Sequence, residues 1–412
     1  MKLIPIPKEK QEEYRLDVMF DCYKWDPQFL DHNTIANYVL VLSQEEYKEL
    51  KQLTEDIDKE TIMAEEFLNS HLECAKKLEL SKKLKKEIQS MSNYDKNKHI
   101  RLMRYDFHPI ISDGWAVSEV NSDVPGGFAE ASFMPQVAKE TISNKNNNEY
   151  WFDNFGEKLV SAIIEKVPIG GRIMMVHCTC YSDDRQVMQF LGNQLKEIGY
   201  QVIYGAADHL RFDGENKIAR SILDGNEGKI DAIIRFNPLE WVKDIKPKHW
   251  SGYFNTQTTS CNHPIAIFAQ TKRFPFVWDI LEEYNISMST WRKLLPQTME
   301  IKDYKKLKDK ENYIYKPVYG RVGEKIGIKE ACTKKEYKQI MLEATLFPKK
   351  YLAQKKFESM PIKDENGKEY HICIGSYTIN GKHSGFYARA SEFPRIDSNA
   401  ADIPVLIESE RK

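Results

Sequence analysis

The longest periodic stretch of the chain lies between residues 44 and 91. Leu50, Leu53, Ile57, Ile62 and Phe67 recur there at roughly helical intervals. Ser43-Gln-Glu-Glu46 sets a hydroxyl three residues before a carboxylate, the spacing of a capping box. The pattern predicts mostly helix, with the lysine-rich residues 81–90 as a solvated face. After it the period changes. Residues 100–107 and 115–121 read as two strands, and 108–114, with Pro and Ser-Asp-Gly, as the turn between them.

From about residue 145 to 242 strands and helices alternate. Gly170-Gly-Arg-Ile-Met-Met-Val-His177 is a short buried-strand pattern. Residues 183–199 follow as an amphipathic helix with Val187, Phe190, Leu191, Leu195 and Ile198 on one side and Gly199 as its stop. Residues 200–204 and 230–235 are further strands. This order predicts a parallel α/β unit, and without a GxGxxG after its first strand it is not a dinucleotide site. Beyond about 262 the pattern predicts a helix over 271–284, a strand over 313–316 running into a glycine turn, and strands over 370–377 and 383–389 joined through Asn380-Gly381. The expected fold class is α+β with an α/β unit, in parts 1–145, 146–262 and 263–412.

Composition narrows the function. The 412 residues carry 60 basic and 61 acidic side chains, a net charge of −1. That balance excludes an electrostatically driven nucleic-acid binder. Mean hydropathy is −0.57, no apolar run approaches the ~20 residues of a membrane span, and the N-terminus keeps prolines and charges where a signal peptide is apolar. A cytoplasmic protein without membrane partner is expected. The seven cysteines show no paired spacing beyond Cys178-Thr-Cys180, and read as structural thiols.

Three groups of residues carry candidate chemistry. In a strand, residues two apart share a face, so Arg104 joins Asp106 and Glu119 joins Asn121. If the strands pair, two carboxylates and a carboxamide converge: hard ligands suited to Mg²⁺, with Arg104 placed to hold a phosphate. The same spacing fits a solvated surface hairpin. Lys316 ends a strand before a loop with Gly320, Arg321 and Gly323, where backbone N–H groups could approach phosphates. It is not a Walker A loop, and glycine turns after strands are common. Arg389 closes the last long strand and could neutralise a phosphoryl group, or merely pair with Glu392.

In their order these motifs resemble the synthetase domain of glutathionylspermidine synthases, over nearly the whole length. The resemblance rests on Tyr23-Lys-Trp25, on Arg104-Tyr-Asp106 with Glu119-Val-Asn121-Ser-Asp123-Val-Pro125 and Glu130-Ala131, and on Asn237-Pro-Leu-Glu-Trp241. It continues through Lys272 with Trp278, Lys316 to Gly323, and Ile374-Gly-Ser-Tyr with Gly385 to Arg389. It implies a circularly permuted ATP-grasp fold with a pre-ATP-grasp-like α/β domain at 146–262. It also implies ligation of a small-molecule carboxylate to an amine, a polyamine in that family, with ATP and Mg²⁺ as cofactors. Carried over residue by residue, Asp106, Glu119 and Asn121 would hold the metal. Lys272 and Lys316 would bind phosphates under the loop of Gly320, Arg321 and Gly323, Gln354 would neighbour the adenine, and Arg104 and Arg389 would steady an acyl phosphate. Bacterial bifunctional members of the family carry an amidase domain in front of the synthetase, for which no room is expected in this chain. The chain also has Val124, Gly126 and Gly127 where small hydroxyl residues often stand. Two other readings remain open: a nucleotide-binding homologue without turnover, and a ligase of the same fold joining amino acids or tailoring a peptide or natural product.

Overall fold

An antiparallel sheet of distant segments lies at the centre. Its strands run in the order Ala401–Ile403, Lys382–Ser391, Glu369–Ile379, Leu102–Pro109, Trp115–Asn121, all antiparallel, and Ile362–Lys363 adds to Glu369–Ile379. The computed structural model describes residues 1–91, 95–142, 149–246, 249–307, 309–320 and 325–410. Period two divides the sheet into two faces. Tyr105 and Phe107 turn one way and are buried, whereas Arg104 and Asp106 turn the other.

The dry face packs on the helix Gln44–Ser70, which starts at the Ser43 capping box the sequence predicts. Polar groups meet in the layer between helix and sheet. Tyr105 donates to Asp58 at 2.5 Å, and Thr54 donates to Ser376 at 2.8 Å. Arg101, just before its strand, binds Asp58 at 2.6 Å and Glu65 at 2.9 Å. Glu60 accepts from Ser289 Oγ and from the N–H groups of Thr290 and Trp291, and so caps the short helix Ser289–Leu294 from a different element.

Of the five further sheets among the described residues, three position the site. Thr259–Cys261, Ala232–Arg235, Arg172–Val176 and Gln201–Gly205 form the expected parallel α/β unit, with the helices Phe155–Ile164 and Ser182–Glu197. Lys2–Pro5, Tyr38–Leu42, Val405–Glu408 and Tyr150–Trp151 tie the two ends of the chain into one sheet. A small antiparallel sheet of Thr298–Glu300, Tyr351–Lys355 and Tyr313–Pro317 has its own core, where Ile340 and Ala344 of the helix Lys334–Leu346 meet Tyr313 and Tyr315.

Two expectations need correction. The helix over 44–91 divides into Gln44–Ser70, a 3₁₀ turn Cys74–Leu78, and Lys82–Gln89. The helix expected over 271–284 is replaced by a 3₁₀ turn, Phe274–Val277, leading into the short helix Trp278–Glu283. Pro275 has no N–H for a helical bond, and the Lys272 N–H is committed to Val318 O at 3.1 Å. By contrast Asn380 and Gly381 both have positive φ, 50° and 87°, as a tight hairpin turn requires.

Burial pushes the Glu65 carboxyl up to about 7, with Arg101 pulling the other way. The folded protein therefore holds this proton more tightly than the unfolded chain, so stability falls as pH rises from about 4.5 to about 7. Urea unfolding of Glu65→Gln at pH 5 and pH 7 should show a flatter dependence than the wild type. Equal slopes would remove Glu65 from the account.

Candidate active site

The hairpin register sets Arg104 opposite Asn121 and Asp106 opposite Glu119, so all four side chains share the face away from the long helix. Arg104 grips Asp106 through Nε at 2.8 Å and Nη2 at 3.1 Å, and Asn121 Nδ2 donates to Asp106 Oδ2 at 3.0 Å. The ladder then slips. Phe107 pairs with Val117, which leaves Ser118 as the extra residue of a β-bulge. Its carbonyl accepts from Lys316 Nζ at 2.9 Å, and its hydroxyl lies 3.1 Å from His108 Nε2.

Lys316 reaches this point from an edge strand of the small sheet, and Lys272 from the turn before the 3₁₀ helix. Lys272 Nζ lies 2.7 Å from Glu119 Oε2 and donates to Gly320 O at 2.9 Å. A Cβ on Gly320 would stand 2.2 Å from Pro317 Cγ, so the loop closes in this way only with glycine there. Between the small sheet and the hairpin opens a cleft of about 360 Å³, its mouth included, lined by Glu119, Lys272, Lys316, Gln354, Trp291 and Leu295 among others. Gln354 donates to Thr298 Oγ1 at 3.1 Å, while its own carbonyl oxygen is buried without a partner among the described residues.

The electrostatics follow from this crowding. Burial brings the Lys316 ammonium down to about 8, Glu119 resisting and Lys272 assisting. Burial alone would raise Glu119, but Lys272 and Lys316 outweigh it and hold the carboxyl below its ordinary value. Burial, then the charge of Lys316, drives His108 down to about 3, so it is neutral near pH 7.

Arg389 stands on the same sheet face, opposite Cys373. Its Nη2 donates to Asp397 O at 2.5 Å and Ala400 O at 3.3 Å, and its Nε is 3.6 Å from Asp402 Oδ1. The pairing with Glu392 does not occur; Glu392 holds Lys368 instead. Tyr387 links the arginines, with its ring 4.8 Å from the Arg104 guanidinium and its hydroxyl 2.7 Å from Asp402. Arg104, Asp106, Glu119, Asn121, Lys272, Lys316 and Gly320 thus gather at one place, with Gln354 lining the cleft. Arg321 and Gly323 lie outside the described residues.

Several contributors escaped the sequence reading. Gly375 pairs with Asp106, and a Cβ there would meet Arg104 Cδ at 2.6 Å. Gly126 O accepts from Arg104 Nη1 at 2.8 Å, while Gly127, at φ +93°, leaves room for the Tyr387 ring 2.8 Å from where its Cβ would be. Gln270 Oε1 accepts from the N–H groups of Ser122 and Asp123, both at 2.9 Å, fixing the chain just past Asn121. A glycine beside Asp106 or a glutamine under Asn121 is recognisable only once the partner segments are paired.

Among the described residues no group of three His, Cys, Asp or Glu side chains is placed to hold a metal. The set at hand is two carboxylates and a carboxamide. It fits an ion such as Mg²⁺ that keeps waters and takes substrate phosphate oxygens for the rest of its shell.

Fold and cleft together make a mixed α/β protein with several sheets. The model of the glutathionylspermidine synthase preATP-grasp family matches residues 7–408, and the chain belongs to that family, whose kind is carboxylate–amine ligase. A solved structure with the same fold is that of a glutathione synthetase-like effector from Globodera pallida in its apo form. It is 16% identical, with a TM-score of 0.62 over 98% of this chain and 99% of that one. No curated protein matches the sequence.

Because the Lys316 pKa is lower in the folded protein than its ordinary 10.5, its burial costs stability in full below pH 8 and progressively less from about pH 8 to 10.5. Lys316→Met should therefore unfold at higher urea than the wild type at pH 7, by an advantage that shrinks by pH 10. An advantage that grows with pH would show that the ammonium is not held as described.

Proposed function

We propose that the protein joins a carboxylate to an amine with consumption of ATP, through an acyl phosphate, as a circularly permuted ATP-grasp ligase. The observation that carries this reading is the convergence of two lysines from separate segments, Lys272 and Lys316, on the Glu119 end of the hairpin, in a cleft whose wall includes Gln354 and Trp291. The parts 1–145, 146–262 and 263–412 then supply the metal-site strands, the pre-ATP-grasp-like α/β domain, and the ATP-binding lobe.

ATP activates the carboxylate by phosphorylating it, and Mg²⁺ would neutralise the phosphate charge. This chain's residues position and neutralise, which is most of what phosphoryl transfer asks of a protein. Asp106, Glu119 and Asn121 would hold the metal. Lys272 exchanges part of its pairing with Glu119 for phosphate oxygens, and Lys316 points its ammonium into the same space. Gly320, which accepts from Lys272, would lie over the phosphates. The Gln354 carbonyl, buried without a partner among the described residues, would accept from the adenine amino group. Arg104, fixed by Asp106 and Gly126, and Arg389, fixed by Asp397 and Ala400, steady the acyl phosphate until the amine attacks its carbonyl carbon and phosphate leaves. The amine, a polyamine or an amino compound, must present its nitrogen unprotonated.

Mg·ATP at millimolar concentration should raise the melting temperature, and Lys316→Ala should lose most of that gain. With a carboxylate and amine that are turned over, Glu119→Ala should slow ADP release by at least ~10²-fold. ADP release should require the carboxylate, and amide product should also require the amine. A protein indifferent to ATP would overturn nucleotide binding. Binding without ADP release from a broad screen of carboxylates and amines would leave a nucleotide-binding protein without turnover.

A further inference from the structure

Beyond Arg389 the same sheet face ends in a buried lysine. Lys24 is 3% exposed. Its ammonium lies 2.6 Å from Asp402 Oδ2, 2.9 Å from Asp26 Oδ1 and 3.1 Å from Glu130 Oε1. Asp402 and Glu130 are themselves buried, at 5% and 7% exposure. The ammonium donates to Glu130 and has the carboxylates of Asp402 and Asp26 within ion-pair distance. Asp402 is shared, because its other oxygen takes the Tyr387 hydroxyl at 2.7 Å and lies 3.6 Å from Arg389 Nε. The cradle is therefore one carboxylate away from the arginine assigned to the acyl phosphate.

Lys24 shares its segment with Asp26, but not with Glu130 or Asp402. It sits on the segment between the helix Gln11–Phe20 and the strand Tyr38–Leu42, where its N–H bonds to Val18 O at 3.2 Å and the N–H of Trp25 to Gln186 at 3.0 Å. Glu130 comes from the chain after the metal-site hairpin, and Asp402 from the edge strand Ala401–Ile403. Without Lys24 the buried carboxylates of Glu130 and Asp402 would face one arginine and lack a second cation.

We propose that Lys24 is a specificity-determining residue, which fills from within an ammonium site made by Glu130, Asp402 and Asp26 beside Arg389 and so denies that site to a cationic group of the substrate. Two ammonium groups cannot share so dry a cluster. An amine joined here must find its place without a second ammonium held by these carboxylates. The word substrate rests on the ligase reading, but occupancy of the cradle does not, and its test needs no turnover.

Lys24→Ala leaves the cradle carboxylates and removes a fragment equivalent to n-propylammonium, which serves as the probe. The variant should melt below the wild type, and propylammonium chloride should raise its melting temperature saturably, by about 2 °C or more. Sodium or tetramethylammonium chloride at the same ionic strength should not, because neither offers N–H donors. The wild type should not respond, and Lys24→Ala/Glu130→Gln should lose the response. If Lys24→Ala cannot be recovered folded, the same salts are compared in refolding, where propylammonium alone should restore the yield. An equal response of wild type and variant, or no advantage of propylammonium over tetramethylammonium in melting or refolding, would overturn the proposal. Either result leaves ATP binding and ADP release to be judged by their own assays.

Discussion

An ammonium taken out of water needs an acceptor, and for Lys316 the small sheet that carries it does not supply one. The acceptor comes from the other wall of the cleft, the carbonyl of Ser118. That carbonyl is available because the hairpin ladder slips by one residue there, freeing it from the regular exchange between strands. An unpaired buried charge costs several kcal/mol. The contact thus ties the position of the small sheet to the position of Glu119, and the cleft exists where the two are held. The depressed pKa of Lys316 records that the compensation is incomplete, leaving an ammonium poised for a further anion.

The central sheet makes this arrangement stiff. One face is dry and locked to the helix Gln44–Ser70 by Asp58, Glu65 and Arg101, the other polar and linked by Arg104, Asp106 and Asn121. Alternation along two strands is enough to produce both faces. What lets the polar face carry an arginine lying across the sheet is Gly375 in the next strand, whose missing Cβ is the space that the Arg104 stem occupies. The side chains proposed for metal and acyl phosphate are therefore positioned by backbone pairing rather than by loops.

The parts legible in the sequence were those set by local periodicity. The capping box at Ser43, the two strands of the hairpin, the parallel unit and the Asn380-Gly381 turn follow from spacings within a few residues, and they form. The shared face of Arg104, Asp106, Glu119 and Asn121 was legible for the same reason. The helix expected around Lys272 was lost to Pro275 and to a long-range bond to Val318, and the bulge at Ser118 breaks the strict period of two that any strand reading assumes. Gly375, Gly127 and Gln270 answer to segments far away in the chain, so nothing near them announces their part. Arg389 was found, but its partner is Asp402 across the sheet edge, not the adjacent Glu392.

The central claim is that hairpin, turn and small sheet form one nucleotide site. A crystal structure with Mg²⁺ and a non-hydrolysable ATP analogue tests it most directly. The account predicts the adenine against Gln354 and Trp291, phosphates on Lys272 and Lys316, and a metal at about 2.1 Å from a Glu119 oxygen. An analogue bound away from this cleft, or a metal held without Asp106, Glu119 or Asn121, would contradict it.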